Sequence, residues 1–289
     1  MFVQKSYRDE TSGKLYLVAT PIGNLEDMTF RAVRTLKEVN WIAAEDTRQT
    51  RKLLTHFDIS TRMVSYHEHN KASSGPELIR LLLSGDSIAL VSDAGTPAIS
   101  DPGYDLVCMA IERHIDVIPI PGANAALSSL IISGMATDRF TFVGFLPRDR
   151  KSIHKELEPL GQAAGTLMFY ESPHRVQKTL GYMAEVFGAD RQVCLVRELT
   201  KRYEEAVRGT IQQCLDHLQE HAPQGEYCII VAGASTAPSR DDESWWATLT
   251  PEEHVAHYET ADVTRKEAIK LAAADRGMPK RDLYNLIHQ

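Results

Sequence analysis

The stretch Ser-Ile-Ala-Leu-Val-Ser-Asp-Ala-Gly-Thr-Pro-Ala-Ile-Ser-Asp-Pro-Gly, at residues 87–103, contains the pattern that decides the fold. The apolar run over residues 88–91 predicts a buried strand, and a long loop of small, polar and turn-forming residues follows it. A helical pattern then covers residues 104–111. Because ligands of open α/β sheets bind at the carboxyl ends of the strands, we expect this loop to contact a ligand.

Two other apolar runs end in loops of the same kind. The run at residues 15–19 leads into Thr-Pro-Ile-Gly-Asn, and the run at residues 116–120 leads into Pro-Gly-Ala-Asn. We predict a helix with Thr29 as its N-cap after the first loop, and a helix of small residues over 125–134 after the second. A single Gly/Pro-rich loop is most often a plain chain reversal. Three of them in one half of the chain indicate one ligand held by several loops.

Strands and helices alternate along two stretches of the chain, which predicts the α/β class with a largely parallel first sheet covered by helices. In the first stretch the further predicted strands are 41–43 and 63–65, and the helices are 30–39, 47–56 and 76–84. In the second stretch the predicted strands are 140–144, 166–170, 192–196, 204–208 and 227–232, and the helices are 152–160, 176–187 and 210–220.

The composition changes after residue 232. A stretch rich in Ser, Thr, Ala and Pro precedes an acidic run, residues 241–260, that contains no Lys or Arg. Two short helices are predicted beyond it, over 266–274 and 281–287, the first with a capping box from Thr264 to Glu267. They are either a helix-turn-helix that contacts nucleic acid or an ordinary helical pair. The predicted segments are an N-terminal extension at 1–13, α/β domains at 14–121 and 122–235, and an acidic linker with a helical tail at 236–289.

Composition and charge exclude several classes of protein. No apolar run approaches the roughly 18 residues of a membrane span, and the polar N-terminus lacks the apolar core of a secretion signal. The four cysteines are scattered, which argues against a zinc site and a disulfide framework and favours a reducing compartment. We therefore expect a cytoplasmic protein without a bound metal. The formal net charge of -7 is unusual for a protein that binds RNA, so basic side chains would have to form local patches.

Six motifs, kept in order over residues 15 to about 235, together resemble the tetrapyrrole methylase superfamily of S-adenosylmethionine-dependent enzymes, and within it the enzymes that methylate ribosomal RNA. The motifs are Thr-Pro-Ile-Gly-Asn (20–24), Ala-Glu-Asp-Thr-Arg (44–48), Val-Ser-Asp-Ala-Gly-Thr-Pro (91–97), Ser-Asp-Pro-Gly (100–103), Phe-Tyr-Glu-Ser-Pro-His-Arg (169–175) and Arg-Glu-Leu-Thr-Lys (197–201).

The resemblance implies two α/β domains with S-adenosyl-L-methionine in the cleft between them. It also implies methylation of a cytidine ribose at its 2′-oxygen, in the 16S rRNA of the small ribosomal subunit, by a homodimer. The positions expected to bind the cofactor are Pro21, Asp93, Ala94, Gly95, Ile99, Ser100, Gly122, Ala123, Tyr170, Ala232 and Gly233.

Transfer of a methyl group to a hydroxyl needs alignment of the reacting atoms and a group that removes the proton. We predict that Glu171 or Glu198 acts as the base or orients it, and that Lys201 stabilises the developing alkoxide. The alternative is that such charged residues form ion pairs between the domains. The residues expected to hold RNA phosphates are Arg48, Arg148, Arg150, Lys151, Arg175 and Arg197.

Two other functions stay open from the sequence alone. One keeps the fold and cofactor but methylates a tetrapyrrole carbon; the Thr-Pro-Ile-Gly-Asn and Glu-Ser-Pro-His-Arg motifs fit that subgroup poorly. The other is a non-catalytic factor that binds RNA or the ribosome. Cofactor binding distinguishes this factor from both methyltransferases, because a non-catalytic adaptor has no need for three small-residue loops around a cleft.

Overall fold

The computed structural model describes residues 3–4, 13–234, 246, 249–259 and 263–288 of the 289-residue chain. The chain divides into two compact units, residues 1–233 and residues 234–289, and each is described by itself. The predicted N-terminal extension and acidic linker lie largely outside the described residues.

The first unit begins with a parallel five-stranded sheet. Its strands are β1 (Leu15–Val18), β2 (Trp41–Ala44), β3 (Arg62–Ser65), β4 (Ile88–Val91) and β5 (Val117–Ile120), in the order β3-β2-β4-β1-β5. Helices α1 (Phe30–Glu38) and α2 (Thr47–His56) pack on one face, and α3 (Lys71–Leu83) and α4 (Gly103–Glu112) pack on the other. This confirms the largely parallel sheet. It also brings the carboxyl ends of β1 and β4 side by side at the centre.

Local signals explain where these helices begin. The Thr29 hydroxyl accepts a hydrogen bond from the backbone N–H of Ala32, which confirms Thr29 as the N-cap of α1. Asp46 caps α2 by accepting from the backbone N–H of Arg48. Both caps lie in the loops that follow strands, so the ends of the helices are fixed next to the carboxyl edge of the sheet.

A second five-stranded sheet follows in the same unit. Its strands are β6 (Phe140–Phe145), β7 (Thr166–Glu171), β8 (Gln192–Arg197), β9 (Glu205–Thr210) and β10 (Tyr227–Val231), in the order β6-β7-β10-β8-β9. Helix α5 (Ala125–Ser133) packs on one face, and α6 (Arg150–Leu157), α7 (Val176–Phe187) and α8 (Ile211–Glu220) pack on the other. The predicted α/β class is confirmed in both sheets.

The second sheet is mixed rather than parallel. Strands β6 and β7 are parallel, but β10 lies between β7 and β8 and runs antiparallel to both. Tyr227, the first residue of β10, pairs with Glu171 and Arg197, which end β7 and β8. One edge of this sheet therefore combines the carboxyl ends of two strands with the amino end of a third.

The second unit is a group of three helices, α9 (Pro251–Tyr258), α10 (Arg265–Asp275) and α11 (Lys280–Leu286). The two predicted tail helices are confirmed, and the Glu267 carboxylate accepts hydrogen bonds from the backbone N–H and the hydroxyl of Thr264. Helix α9, which was not predicted, contributes Val255 to a small core with Ile269 and Leu283.

Candidate active site

A cleft of about 410 Å³ lies between the two sheets of the first unit. The first sheet contributes the loops after β1, β2, β4 and β5, and the second contributes the carboxyl ends of β6, β7 and β8 with the amino end of β10. Its volume is in the range of small-molecule sites, roughly 300–1,000 Å³. The lining residues are Ile22, Glu45, Ser92, Asp93, Ala94, Gly95, Thr96, Ile99, Ser100, Asp101, Asn124, Ala125, Ser129, Phe145, Tyr170, Glu171, Ser172, Val196, Glu198, Leu199, Lys201, Glu226, Tyr227 and Cys228.

The loop after β4 is hydrogen-bonded to the loops after three other strands. Gly95 and Thr20 exchange two backbone hydrogen bonds, of 2.9 and 3.0 Å. The Asp93 carboxylate accepts from the backbone N–H of Asp46 at 2.9 Å, and the Thr96 hydroxyl donates to the carbonyl of Ala123 at 3.3 Å. The predicted ligand-binding loops are thus built as one connected wall.

Backbone strain is concentrated in two loops that line the cleft. Ala98 and Ser100, in the loop after β4, have φ values of 67° and 60°. Glu198 and Thr200, in the loop after β8, have φ values of 50° and 66°. Non-glycine residues rarely adopt this left-handed conformation, and clusters of them occur mainly at functional sites.

The charge of the cleft is strongly acidic. Its lining contains six carboxylates and one ammonium group, the latter on Lys201. Burial raises the pKa of Glu45, and the charges of Asp93 and Asp101 raise it further. The Oδ2 atom of Asp101 is buried without a hydrogen-bond partner among the described residues. The arrangement favours a cationic ligand that can donate hydrogen bonds.

Glu171 ends β7 and is only 1% exposed. Its carboxylate accepts hydrogen bonds from the Thr179 hydroxyl at 2.7 Å and the backbone N–H of Ser172 at 2.8 Å, and it lies 3.4 Å from the guanidinium of Arg175. These bonds hold the loop between β7 and α7. Of the two roles predicted for Glu171, the geometry favours the orienting one.

Lys201 joins the two sides of the cleft. Its Nζ lies 2.9 Å from Oε1 of Glu198 in the loop after β8. Its aliphatic chain packs over the backbone of Gly23 in the loop after β1, so closely that a Cβ there would lie 3.0 Å from Cε of Lys201. The ion pair keeps a positive charge and a carboxylate together at the cleft wall.

A family model described as Tetrapyrrole (Corrin/Porphyrin) Methylases matches residues 14–215. The chain belongs to the tetrapyrrole methylase family. Three curated proteins named Ribosomal RNA small subunit methyltransferase I resemble this methylase over its whole length. The one from Halalkalibacterium halodurans is 56% identical and covers 100% of both chains. Those from Bacillus subtilis and Synechocystis sp. are 54% and 46% identical, over 96% and 95% of this chain and 94% and 97% of their own.

Solved structures resemble the methylase in fold. Uroporphyrin-III-C-methyltransferase from Thermus thermophilus has a TM-score of 0.55 and 20% identity, over 76% of this chain and 94% of its own. The same enzyme complexed with S-adenyl homocysteine has a TM-score of 0.55 and 19% identity, over 77% and 98%. Diphthine synthase has a TM-score of 0.61 and 12% identity, over 76% and 90%. The predicted tetrapyrrole methylase fold is confirmed.

The cleft of the methylase brings together most of the residues predicted to bind the cofactor. Asp93, Ala94, Gly95, Ile99, Ser100 and Tyr170 line it. Pro21, Gly122 and Ala123 do not, but each stands one or two residues before a lining residue, Ile22 or Asn124. Gly122 is needed for packing instead, because a Cβ there would lie 2.9 Å from the Cβ of Ala19.

Ala232 and Gly233 lie at the opposite edge of the second sheet. The backbone N–H of Ala232 donates to the carbonyl of Gln192, at the start of β8, and Gly233 packs against the backbone of Ala164. Because β10 runs antiparallel to β7, Ala232 and Gly233 lie four and five residues along the sheet from Cys228, the pairing partner of Tyr170, about 14–17 Å at strand spacing. The expectation that these two residues form a wall of the cleft is therefore corrected.

Two of the arginines predicted to hold RNA phosphates instead contact other residues of the same chain. Arg175 donates to the carbonyl oxygens of Leu146 and Pro147, at 3.0 and 2.6 Å. Arg197 forms an ion pair with Glu205 and is 23% exposed. These guanidinium groups fix loops, and a phosphate would have to displace their present partners.

The other predicted phosphate-binding residues are exposed. Arg48 is 87% exposed and pairs with the neighbouring Asp46 at 2.9 Å. Arg150 pairs with Glu185 at 2.9 Å. Arg148 and Lys151, beside Arg150, are also exposed.

Some lining residues were not among the predicted site residues. Glu45 and Asp101 belong to the quoted motifs Ala-Glu-Asp-Thr-Arg and Ser-Asp-Pro-Gly, so a signal was present. Glu226 and Cys228 line the cleft only because of the direction of β10, for which the sequence has no signal.

Within the described part of the methylase, no group of three or more His, Cys, Asp or Glu side chains is arranged to hold a metal ion. None of the described helices combines the length and hydropathy needed to cross a membrane.

Proposed function

We propose that this methylase transfers a methyl group from S-adenosyl-L-methionine to the ribose 2′-oxygen of a cytidine in the 16S rRNA of the small ribosomal subunit. The observation that carries the proposal is its full-length similarity, up to 56% identity, to proteins named Ribosomal RNA small subunit methyltransferase I. The acidic cleft agrees with a positively charged cofactor.

The residues of the cleft fit this cofactor. The cofactor carries a sulfonium, an ammonium and a carboxylate group and is cationic overall, and the cleft lining has six carboxylates. The buried Oδ2 of Asp101 and the exposed carboxylate of Asp93 can accept hydrogen bonds from an ammonium or from ribose hydroxyls. Ile22, Ile99 and Leu199 supply apolar surface for the remainder.

When bound, S-adenosyl-L-methionine supplies a methyl group already activated by the sulfonium. The protein must then align the ribose hydroxyl and remove its proton. We infer that Glu198 accepts that proton and that Lys201, whose Nζ lies 2.9 Å from the Glu198 carboxylate, stabilises the negative charge on the oxygen. Glu171 holds the neighbouring loop between β7 and α7.

The proposal includes the working form of the enzyme, a homodimer in the cytoplasm. Leu127 and Ile131 lie one turn apart on α5 and are 47% and 74% exposed. A second copy of the chain that covered this side of α5 would remove apolar surface from water. Sedimentation velocity measures the oligomeric state, and a monomer at micromolar concentration would exclude this part of the proposal.

The function is tested with small ribosomal subunits from a strain that lacks the enzyme. They are incubated with the protein and methyl-labelled S-adenosyl-L-methionine, and the rRNA is digested to nucleosides. We expect the label in 2′-O-methylcytidine. Label in another nucleoside would correct the target, and bound cofactor without labelled RNA would point to a small-molecule substrate. Absence of cofactor binding would favour a non-catalytic RNA-binding factor.

A further inference from the structure

Positive charge is concentrated on one face of the first sheet. Helices α1 and α2 together contain six basic residues and one acidic residue. On the opposite face, α3 and α4 together contain two basic and three acidic residues. The whole chain has a net charge of -7, so the excess on α1 and α2 is a local feature that runs against the overall charge.

The helical period directs these basic side chains to solvent. In α1 the buried positions are Ala32, Thr35 and Leu36, and in α2 they are Thr50 and Leu54. The exposed aromatic and basic residues of these helices form what we call the α1–α2 surface, and the one acidic residue, Glu38, is exposed at the end of α1. The residues of the α1–α2 surface are Phe30, Arg31, Arg34, Lys37, Arg48, Arg51 and Lys52.

Most of these charges are available to a partner. Arg31, Arg34, Lys37 and Arg51 form no ion pair with any residue that the structure describes. On the opposite face, by contrast, Lys71 pairs with Glu68 and Asp105, and Arg80 pairs with Glu77. A face with unpaired positive charges attracts polyanions, whereas a face whose charges are neutralised by local ion pairs attracts them much less.

The α1–α2 surface starts at the cleft. Asp46, the N-cap of α2, donates its backbone N–H to Asp93 in the cleft wall. At the other end, the Thr61 hydroxyl, in the loop after α2, donates to the carbonyl of Leu36 in α1. Both helices pack on the same core of the first sheet. From the cleft edge, helices of nine and ten residues extend about 14 Å outwards.

The acidic cleft gives a physical reason for a basic surface beside it. Its six carboxylates repel phosphate groups while they favour a cationic cofactor. An RNA substrate must be attracted beside the cleft rather than inside it. Phe30, at the cleft end of α1, is 97% exposed and presents an aromatic ring on which an unpaired base can stack.

We propose that the α1–α2 surface binds the phosphate backbone of small-subunit rRNA next to the target nucleotide, with Phe30 stacked on an unpaired base. This rests on the proposed function, because it takes the substrate to be small-subunit rRNA. The phosphates pair with Arg31, Arg34, Lys37, Arg51 and Lys52 and release counterions as they do so.

The test compares two double variants that remove the same charge. Arg34→Gln/Arg51→Gln changes the α1–α2 surface, and Arg80→Gln/Arg113→Gln changes exposed positions on the opposite face. Binding to purified small ribosomal subunits is measured by cosedimentation over a range of KCl concentrations. Cofactor binding by calorimetry shows that each variant is folded.

We expect Arg34→Gln/Arg51→Gln to bind subunits roughly tenfold more weakly at low salt, with a salt slope smaller by about 1.4–1.8 because two phosphate contacts are lost. The opposite-face variant should keep the wild-type affinity and slope. Phe30→Ala should weaken binding without changing the slope, since stacking releases no counterions. Wild-type affinity in Phe30→Ala would remove Phe30 from the contact.

The binding readout separates this proposal from the proposed function. Three outcomes would overturn the proposed RNA-binding role of the α1–α2 surface. They are unchanged affinity and slope in Arg34→Gln/Arg51→Gln, equal losses of affinity in both double variants, and no subunit binding by the wild type. If the wild type methylates subunits and the Arg34→Gln/Arg51→Gln variant keeps the wild-type KM for them, the proposed function is supported and the RNA-binding role of the α1–α2 surface is contradicted. If the wild type binds through this surface but transfers no methyl group, the surface stands and the function fails.

Discussion

Lys201 packs against Gly23 across the cleft, and among the described lining residues its ammonium is the one positive charge. We expect Lys201→Ala to lower kcat by about 100-fold or more, because the developing oxygen charge loses its stabilisation. Cofactor affinity should change little. Single-turnover methyl transfer and calorimetry measure the two effects. Lys178→Ala, at an exposed position of α7, is the control. Full activity of Lys201→Ala would remove this residue from the mechanism.

Glu45 gives cofactor binding a pH dependence. Burial and the charges of Asp93 and Asp101 raise its pKa above the usual value, while His67 opposes them. The ionised carboxylate attracts the cationic cofactor and the protonated form does not. Affinity should therefore fall as the pH falls through this raised pKa and reach a plateau above it.

We expect Glu45→Gln to bind S-adenosyl-L-methionine more weakly at neutral pH and to lose this pH dependence. Calorimetry between about pH 5 and pH 8 measures it. Glu77→Gln, on the surface of α3, should behave as the wild type. A wild-type pH profile in Glu45→Gln would assign the dependence to another carboxylate.

Glu171 contributes to stability as well as to the site. Glu171→Gln loses the charge beside Arg175 and weakens the bonds from Thr179 and Ser172, so we expect the free energy of unfolding to fall by about 1–3 kcal/mol. Glu185→Gln, an exposed change on α7, should stay within about 0.5 kcal/mol of the wild type. Urea denaturation measures both. An unchanged free energy of unfolding in Glu171→Gln would show that the buried carboxylate does not stabilise the fold.

At the scale of elements, the sequence was most informative where a helix has an apolar stripe and a cap. Helices α2 and α7 were predicted with their observed ends. Helix α9 was missed because its surroundings are acidic, although Thr250, Pro251 and Glu253 form a capping box with proline at the first turn. The capping residues were sufficient to predict the start of α9, whereas the acidic composition wrongly indicated a linker.

Strand direction in the second sheet could not be predicted. An alternation of strands and helices indicates parallel order, but β10 returns antiparallel between β7 and β8. Pairing partners are set by distant residues, so nothing within residues 227–231 reveals the direction. This is why Ala232 and Gly233 were expected at the cleft, while Glu226 and Cys228 were not. In the first sheet, where all strands are parallel, the predicted loops do meet.

The loop after β4 depends on one glycine. Gly95 has a φ of 80° within the backbone pair to Thr20. An alanine there would adopt this unfavourable conformation, and its Cβ would also make a tight contact of 3.3 Å with Ile22. We therefore expect Gly95→Ala to destabilise the protein by at least about 1–2 kcal/mol and to lower cofactor affinity. Gly181→Ala, in α7 with open space around it, should instead stabilise by about 0.5–1 kcal/mol. Thermal unfolding compares the two; equal effects would contradict this account.

At the scale of the whole molecule, the chain has two units with separate cores. The second unit packs Val255, Ile269 and Leu283 among its own helices. We therefore expect a chain truncated after Ser239 to fold and to bind S-adenosyl-L-methionine with wild-type affinity. Circular dichroism and calorimetry test this, and the KM for small subunits shows whether the helical tail contributes to RNA contact. An unfolded truncation product would show that the first unit depends on the second.

The acidic lining of the cleft also bears on how the reaction cycle ends. Methyl transfer converts the sulfonium into a neutral thioether, so the spent ligand has one positive charge fewer but almost the same shape. Six carboxylates attract it less strongly than they attracted the donor. Loss of the sulfonium charge therefore favours release of the spent ligand, because the same acidic lining attracts the next donor more strongly.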